Sequence, residues 1–248
     1  MLAKVLSAAV VGLDAELVSV EVDIVRGQPY FALVGLPDTA VRESRDRVNS
    51  AIKNSGFTFP IQRITVNLAP ADLRKEGPAY DLPIAVGVLA ATSQVWHQLL
   101  EGSLFLGELS LEGTTRHTKG VLPLAAMARE RGIRRLFVPA DDALEAALIP
   151  DLEVYPVRSL SELVGHLTGM EPLEPIAVDL NAVYDGEVTY AADFADIMGQ
   201  EHVKRAMEVS AAGAHNALMT GPPGSGKTLI AKSLPGILPR MGIDEALE

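Results

Sequence analysis

The chain has 248 residues, 48% apolar and 21% charged, which excludes wholesale disorder and collagen-like repetition and leaves room for one to two domains with a sizeable core. It contains no cysteine, so disulfides, iron–sulfur clusters, thiolate zinc sites and cysteine nucleophiles are excluded. The balance of 21 basic to 32 acidic residues, net −11, differs from that of a strongly basic nucleic-acid module, although a local basic patch is compatible with it.

Residues 1–36 read as strands. Val18, Val20, Val22 and Ile24 alternate with Ser19, Glu21 and Asp23, the period of a half-buried strand. The apolar stretch 5–13 gives way at once to Asp14 and Glu16, so it reads as part of this ribbon and not as a leader peptide. Pro37 and Asp38 open a helix to about Asn54, capped by Asp38 or Thr39 and closed by Gly56. Its charges (Arg42, Glu43, Arg45, Asp46, Arg47) alternate in sign, as on a solvated face. A strand follows at 63–68, a Pro/Gly loop at 69–78 and an apolar helix at 81–91. The apolar run 82–91 is the longest in the chain. It falls well short of the roughly 18 residues of a membrane span, and the protein is expected to be cytoplasmic.

A strand at 105–111, a hairpin or loop at 113–120 and a helix at 123–131 ending at Gly132 come next. Strand 135–138, helix 140–148 with Asp141 and Asp142 as helix-start charges, strand 154–157 and helix 159–167 follow. Strands alternating with helices of this length predict an α/β or α+β fold. Then the composition changes. Between 171 and 203 there is no Lys or Arg but eight acidic residues: Glu171, Glu174, Asp179, Asp185, Glu187, Asp193, Asp196 and Glu201. With Pro172 and Pro175, this predicts an acidic linker over 171–192 between a domain at 1–170 and another at 193–248.

The second region carries the chemistry. Gly221, Pro222, Pro223, Gly224, Ser225, Gly226, Lys227 and Thr228 spell the phosphate-binding loop G-x-x-x-x-G-K-[ST]. A short strand expected at 216–220 and a helix at 227–234 would give the strand–loop–helix setting that the motif requires. The glycines let backbone N–H groups wrap phosphate oxygens, Lys227 places a positive charge on the β- and γ-phosphates, and the Thr228 hydroxyl is the expected Mg²⁺ ligand. The predicted cofactors are therefore ATP and Mg²⁺. Hydrolysis also needs a later acidic Mg²⁺ ligand, a water-orienting group and an arginine finger. Asp244, Glu245 and Glu248 follow the loop too closely to serve. The expectation is a module truncated after the phosphate loop, which binds nucleotide without turning it over.

Several segments bear a family likeness. These are Asp193-Phe194-Ala195-Asp196-Ile197-Met198-Gly199-Gln200, Gln200-Glu201-His202-Val203-Lys204-Arg205-Ala206, Ala211-Ala212-Gly213-Ala214-His215-Asn216 and Leu234-Pro235-Gly236-Ile237-Leu238-Pro239. Together they resemble the magnesium-chelatase-like AAA+ family of bacteria known as YifB or ComM. The first half agrees through Val34-Gly35-Leu36-Pro37-Asp38-Thr39-Ala40-Val41-Arg42-Glu43-Ser44, Ile64-Thr65-Val66-Asn67-Leu68-Ala69-Pro70-Ala71-Asp72-Leu73 and Tyr80-Asp81-Leu82-Pro83-Ile84-Ala85. The resemblance implies a Lon-protease-like α+β domain followed by the start of a P-loop AAA+ module. It also implies adenine contacts at Ile197, Met198 and Gly199, assembly into a hexameric ring, and a DNA helicase driving branch migration on branched or single-stranded DNA in natural transformation. An alternative from the same resemblance is a chelatase-type ATPase driving metal insertion or remodelling a protein partner.

Lon-type proteases place a Ser after a Gly-Pro pair and a Lys on a later helix. Here Gly77-Pro78 is followed by Ala79, and helix 123–131 has no Lys, leaving only Lys119 in front of it. A Ser nucleophile needs a base within hydrogen-bond reach, so no catalytic residue is assigned and a non-catalytic domain is expected. His97, His117, His166, His202 and His215 lack metal-ligand spacing. Arg42, Arg45, Arg47, Lys53, Arg74 and Lys75 form a candidate DNA-facing patch if folding gathers them.

Overall fold

The computed structural model describes residues 1–178, 190, 192–239, 241, 242 and 245. The chain divides into two compact units, Met1–Val178 and Asp179–Glu248. Most of the predicted linker, residues 179–189 and 191, lies outside the described residues, as do Asp244 and Glu248.

The first unit is organised by a seven-stranded mixed sheet, ordered β3-β4-β2-β1-β5-β8-β9. Strands β1 (Leu2–Val11) and β2 (Asp14–Val25) form a hairpin whose register runs from Leu2 opposite Asp23 to Val11 opposite Asp14. The two residues left for the turn are Gly12, at φ +69°, and Leu13. The alternation in β2 is real: Val18, Val20 and Val22 are fully buried and Ile24 nearly so. Strand β4 (Arg63–Ala69) adds antiparallel to β2, and β3 (Tyr30–Val34) adds parallel to β4. On the other side β1 touches β5 (Ser103–Phe105) in parallel, followed by β8 (Arg135–Pro139) and β9 (Glu153–Val157), all parallel.

The apolar helix α3 (Asp81–Ala91) is buried at every position, as a helix covered on all sides must be. It crosses the sheet where Gly87 lets it approach: a Cβ there would meet Val22 Cγ2 at 2.6 Å. Helix α2 (Ser44–Asn54) and helix α6 (Leu160–Leu167) join the same core cluster as β2. Helix α4 (Val121–Glu130) packs on β1 and β2, but its buried residues lie outside that cluster, so it covers the opposite face. Ser159 caps α6, accepting the Glu162 N–H at 3.2 Å. Past α6 the chain stays on this unit: the Leu173 N–H donates to His166 Nδ1 at 2.9 Å, and Ile176 bridges to Val154.

Four expectations change. The helix at 38–54 is two, α1 (Thr39–Arg42) and α2, breaking at Glu43. Asp38 caps α1, accepting the Val41 N–H at 2.8 Å. The strand at 105–111 is interrupted because Gly107, at φ +156°, gives its N–H to Ala79 O and its carbonyl to Leu82 N–H, both at 3.0 Å. The chain resumes as β6 (Glu108–Leu109), which pairs with β7 (Thr115–Arg116) in a separate ribbon. The helix at 140–148 is a 3₁₀ turn, Ala140–Asp142, followed by the single-turn α5 (Ala143–Ala146). Finally, 216–220 is not a strand. An extended segment needs a neighbour to complete a ladder, and none lies beside it among the described residues. Leu218 is 91% exposed.

Among the described residues the second unit holds α7 (Glu201–Ala212) and α8 (Lys227–Ser233), with 3₁₀ turns at Phe194–Asp196 and Leu234–Gly236. Ile197, Met207 and Ile230 form its small core, with Phe194, Val203, Met219, Leu234 and Ile237 packed around them.

Candidate nucleotide-binding site

The phosphate loop follows from its glycines. Gly224 (φ +78°) and Gly226 (φ +85°) both take the left-handed backbone that other residues avoid, and a Cβ on either would meet nothing within 4 Å. Their role is thus conformational, turning the chain into α8. The first helical hydrogen bond runs from the Ile230 N–H to Gly226 O at 3.0 Å. The N–H groups of Lys227, Thr228 and Leu229 precede it, so the helix offers them no acceptor.

Lys227 leans back over the loop. Its Nζ donates to Gly221 O and Pro222 O, each at 2.8 Å, and to Ser225 Oγ at 3.2 Å. The ammonium therefore sits where the loop closes, satisfied by carbonyls that a phosphate can replace. Thr228 is exposed at the start of α8. Pro222 and Pro223 are also exposed. Together these positions suit a polyphosphate with its divalent cation: N–H donors without a helical acceptor, an ammonium and an exposed threonine close together in the chain.

The segment carried over for adenine is divided. Ile197 is 5% exposed and packs with Ile230 of α8, which fixes it behind the loop. Met198 is 91% exposed, and Gly199 (φ +68°) turns the chain into Gln200 at the start of α7. Only Ile197 is brought to the loop's helix by packing.

The first unit treats several residues differently from expectation. Arg47 does not belong to a solvated face. Its Nε donates to Asp81 Oδ2 at 2.6 Å and its Nη2 to Asp81 Oδ1 at 3.0 Å, while Nη2 also holds Ala40 O at 2.8 Å. Asp81 has no exposed surface and accepts a third bond from the Leu109 N–H at 3.2 Å. Burial pushes its carboxyl up to about 6 against the pull of Arg47. Lys75 is fully buried, with Nζ on the carbonyls of Pro70 and Leu73, and burial lowers its pKa. Arg74 pairs with Glu76 at 3.1 Å. The six-residue basic patch thus loses Arg47 and Lys75 to the interior. Arg42, Arg45 and Lys53 remain exposed, and Arg42 shares a shallow pocket with Arg74.

The Gly77-Pro78-Ala79 turn lines a cavity of about 640 Å³ with Ala8, Ala9, Val10, His117, Thr118 and Lys119. Ala79 brings no nucleophile to it. Asp142 is not a mere helix-start charge: it is 2% exposed, accepts the Thr118 N–H at 2.8 Å and holds His117 Nδ1, which raises the pKa of the imidazole. Sequence gave little sign of these pairs. The one cue was an acidic residue opening an otherwise apolar helix, which needs a buried partner.

The fold and the loop define the class: a Lon-like α/β region leading into a P-loop module of the AAA+ kind. Comparison then narrows it. Residues 20–142 match the family described as subunit ChlI of Mg-chelatase, and residues 193–248 match that of magnesium chelatase, subunit ChlI. The chain is 45% identical over 251 residues to competence protein ComM of Haemophilus influenzae, covering 100% of this chain and 48% of ComM. It is 45% identical over 248 residues to an uncharacterized protein, YifB, of Salmonella typhimurium, again covering 100% of this chain and 48% of that one. A Lon protease of Acinetobacter baumannii is 24% identical over 161 residues, 60% of this chain and 20% of the protease. The chain belongs to the magnesium-chelatase-like ComM/YifB family. It spans about half the length of its ComM and YifB relatives. No helix among the described residues is long and apolar enough to cross a membrane.

Proposed function

We propose that the chain is the nucleotide-binding part of an AAA+ motor that remodels DNA, a branch-migration helicase serving recombination in natural transformation. The observation that carries this reading is the loop at 221–228, with Lys227 seated on its carbonyls and three N–H donors ahead of the first helical bond. Gly221 to Thr228 bind the phosphates of ATP, Thr228 ligates Mg²⁺, and Ile197, Met198 and Gly199 border the adenine. ATP supplies the free energy of the cycle through cleavage of its terminal anhydride bond. Lys227 exchanges its carbonyl partners for phosphate oxygens and so orients the chain of phosphates. The domains divide at 1–170 and 193–248 across an acidic connection, and the motor works in the cytoplasm as a hexameric ring. The competence role draws on the name of the ComM relative, and the DNA reading on the family resemblance.

Binding is read on this chain with a non-hydrolysable ATP analogue and Mg²⁺ by calorimetry. Lys227→Ala should weaken it about tenfold to a hundredfold, the loss of one charge-assisted contact. Unchanged affinity would overturn the site. Turnover is read on a chain extended to the relatives' length, with and without a four-way DNA junction. Stimulation by the junction supports the DNA motor. Hydrolysis indifferent to DNA favours the chelatase-type reading, a motor that drives metal insertion or remodels a protein partner.

A further inference from the structure

A sheet that does not close has two edges, and this one treats them differently. The edge at β9 is blunted. Pro156 has no N–H to offer, and the chain after α6 returns over the strand, the Ile176 N–H donating to Val154 O at 2.8 Å. The edge at β3 is bare among the described residues, where β3 pairs only with β4, in parallel. The Tyr30 N–H donates to Gln62 O at 3.4 Å. By alternation Tyr30, Ala32 and Val34 turn their backbone groups to β4, and Phe31 and Leu33 turn theirs to the open side. No hydrogen bond among the described residues reaches the N–H or carbonyl of either. The strand Tyr30-Phe31-Ala32-Leu33-Val34 carries no charge, proline or bulge, the devices that keep an edge from pairing. Tyr30 and Val34 are 58% and 44% exposed, and Leu36 just beyond is 57% exposed. An apolar edge left open in this way is a template for another strand.

The surroundings of this edge decide which strand fits. Residues 26–69, from the turn before β3 to the end of β4, hold six Lys and Arg against three acids, in a chain of net −11. Two of those acids are engaged. Asp38 accepts backbone N–H groups on both oxygens, from Val41 and Gly77, and Glu43 pairs with Arg47 at 3.7 Å. Asp46 alone remains, against Arg26, Arg42, Arg45, Lys53 and Arg63, which are all exposed and in no ion pair among the described residues. On the loop after β4, Glu76 pairs with Arg74, and Asp72 lies by the Lys75 ammonium. Two of the five cations stand along the edge. Arg45 borders a cleft with Tyr30 and Phe31 at the start of β3, and Arg42 borders another with Leu36 and Pro37 just past its end. Two copies of this chain paired edge to edge would bring these arginines together, a like-charge contact. A phosphate backbone offers acceptors only, which leaves the Phe31 and Leu33 carbonyls without donors. An extended peptide offers both.

We propose that the open edge of β3 takes an extended acidic segment of a partner protein as a further strand of the sheet, its main chain on Phe31 and Leu33 and its carboxylates on Arg42 and Arg45. The proposal rests on nothing in the nucleotide reading.

The test uses residues 1–248 and fluorescence anisotropy with a labelled octapeptide alternating Thr and Glu. Its controls are the Lys-for-Glu peptide and two versions N-methylated at alternate amides. The acidic peptide should bind, and the basic one at least tenfold more weakly. One N-methylated version should lose at least tenfold and the other keep its affinity, since only one set of amides faces β3. Arg45→Glu should lose at least tenfold, whereas Arg134→Glu, the same change of charge beside β8, should stay within about twofold. If circular dichroism shows the Arg45 variant misfolded, the peptide series on the unaltered chain decides. No binding, equal binding of acidic and basic peptides, indifference to both methylation patterns, or equal losses in a folded Arg45→Glu and in Arg134→Glu would overturn the proposal. So would displacement of the peptide by self-association of the chain, which assigns the edge to a second copy, or by an oligodeoxythymidylate with no effect of methylation, which assigns it to a nucleic-acid strand.

Discussion

The two units place their decisive polar groups in opposite surroundings. In Met1–Val178 the group is Asp81, without exposed surface and bonded to Arg47 and Leu109 inside an extensive apolar core. In Asp179–Glu248 it is Lys227 with Thr228, on a surface loop above a core of three buried residues among those described. A buried charge is held in place by the stability of everything around it. A surface charge on a glycine loop is held by its own backbone. Substitutions in the first unit should therefore be read as stability, and those in the second as affinity.

The largest break of this contrast is Arg47→Met. It strands the Asp81 carboxylate, and breaking a buried pair in this way costs about 3–5 kcal/mol, to be seen in urea unfolding at pH 7. The cost should shrink in acid, where Asp81 accepts a proton. The intact protein carries the same signature more mildly. Burial raises the Asp81 carboxyl to about 6, above its value of about 3.9 in an unfolded chain. Between these values the folded state holds the extra proton, so the contribution of Asp81 to stability falls as pH rises from about 4 to about 6. Asp81→Asn should flatten that part of the pH profile, and an unchanged slope would count against the assignment.

Next in size is Gly87→Ala. The new methyl meets Val22 Cγ2 at 2.6 Å, and overpacking of this kind costs about 1–3 kcal/mol. Unfolding should show a net loss even though alanine favours a helix. Ser159→Ala removes the N-terminal cap of α6 and should cost about 1 kcal/mol in the same assay. Smallest is Lys227→Ala, which should move stability by no more than about 0.5 kcal/mol while removing the thermal stabilisation given by a nucleotide analogue. A large fall in the unfolding midpoint of that variant without nucleotide would blur the distinction between the two units.

What was legible in the sequence follows the same division. The alternation in β2, the helix at 81–91, the helix at 159–167 and the helix after Gly226 are local patterns, and each was readable because its cause lies within a few residues. The misreadings have distant causes. Residues 105–111 look like one strand until Ala79 and Leu82 claim both backbone groups of Gly107. Arg47 looks solvated because Asp81, its partner, lies 34 positions away. Lys75 reads as a surface cation, yet its ammonium is spent on the carbonyls of Pro70 and Leu73. The segment 216–220 has the composition of a strand but no neighbouring strand among the described residues to make it one. Of the candidate site, the loop residues were legible as a motif, whereas the opposite fates of Ile197 and Met198 depend on packing against α8.

The order of the sheet also bears on how the chain assembles. The β1–β2 hairpin occupies the middle of the sheet, and β4 and β3 extend it on one side before β5, β8 and β9 extend it on the other. The first 69 residues thus supply a contiguous four-stranded piece in which all pairings but one are antiparallel. That piece closes its loops early and needs nothing from the parallel half. As the chain emerges from the ribosome, the left half of the sheet has its partners before β5 is made, and the slower long-range pairings of the right half dock on an edge that already exists.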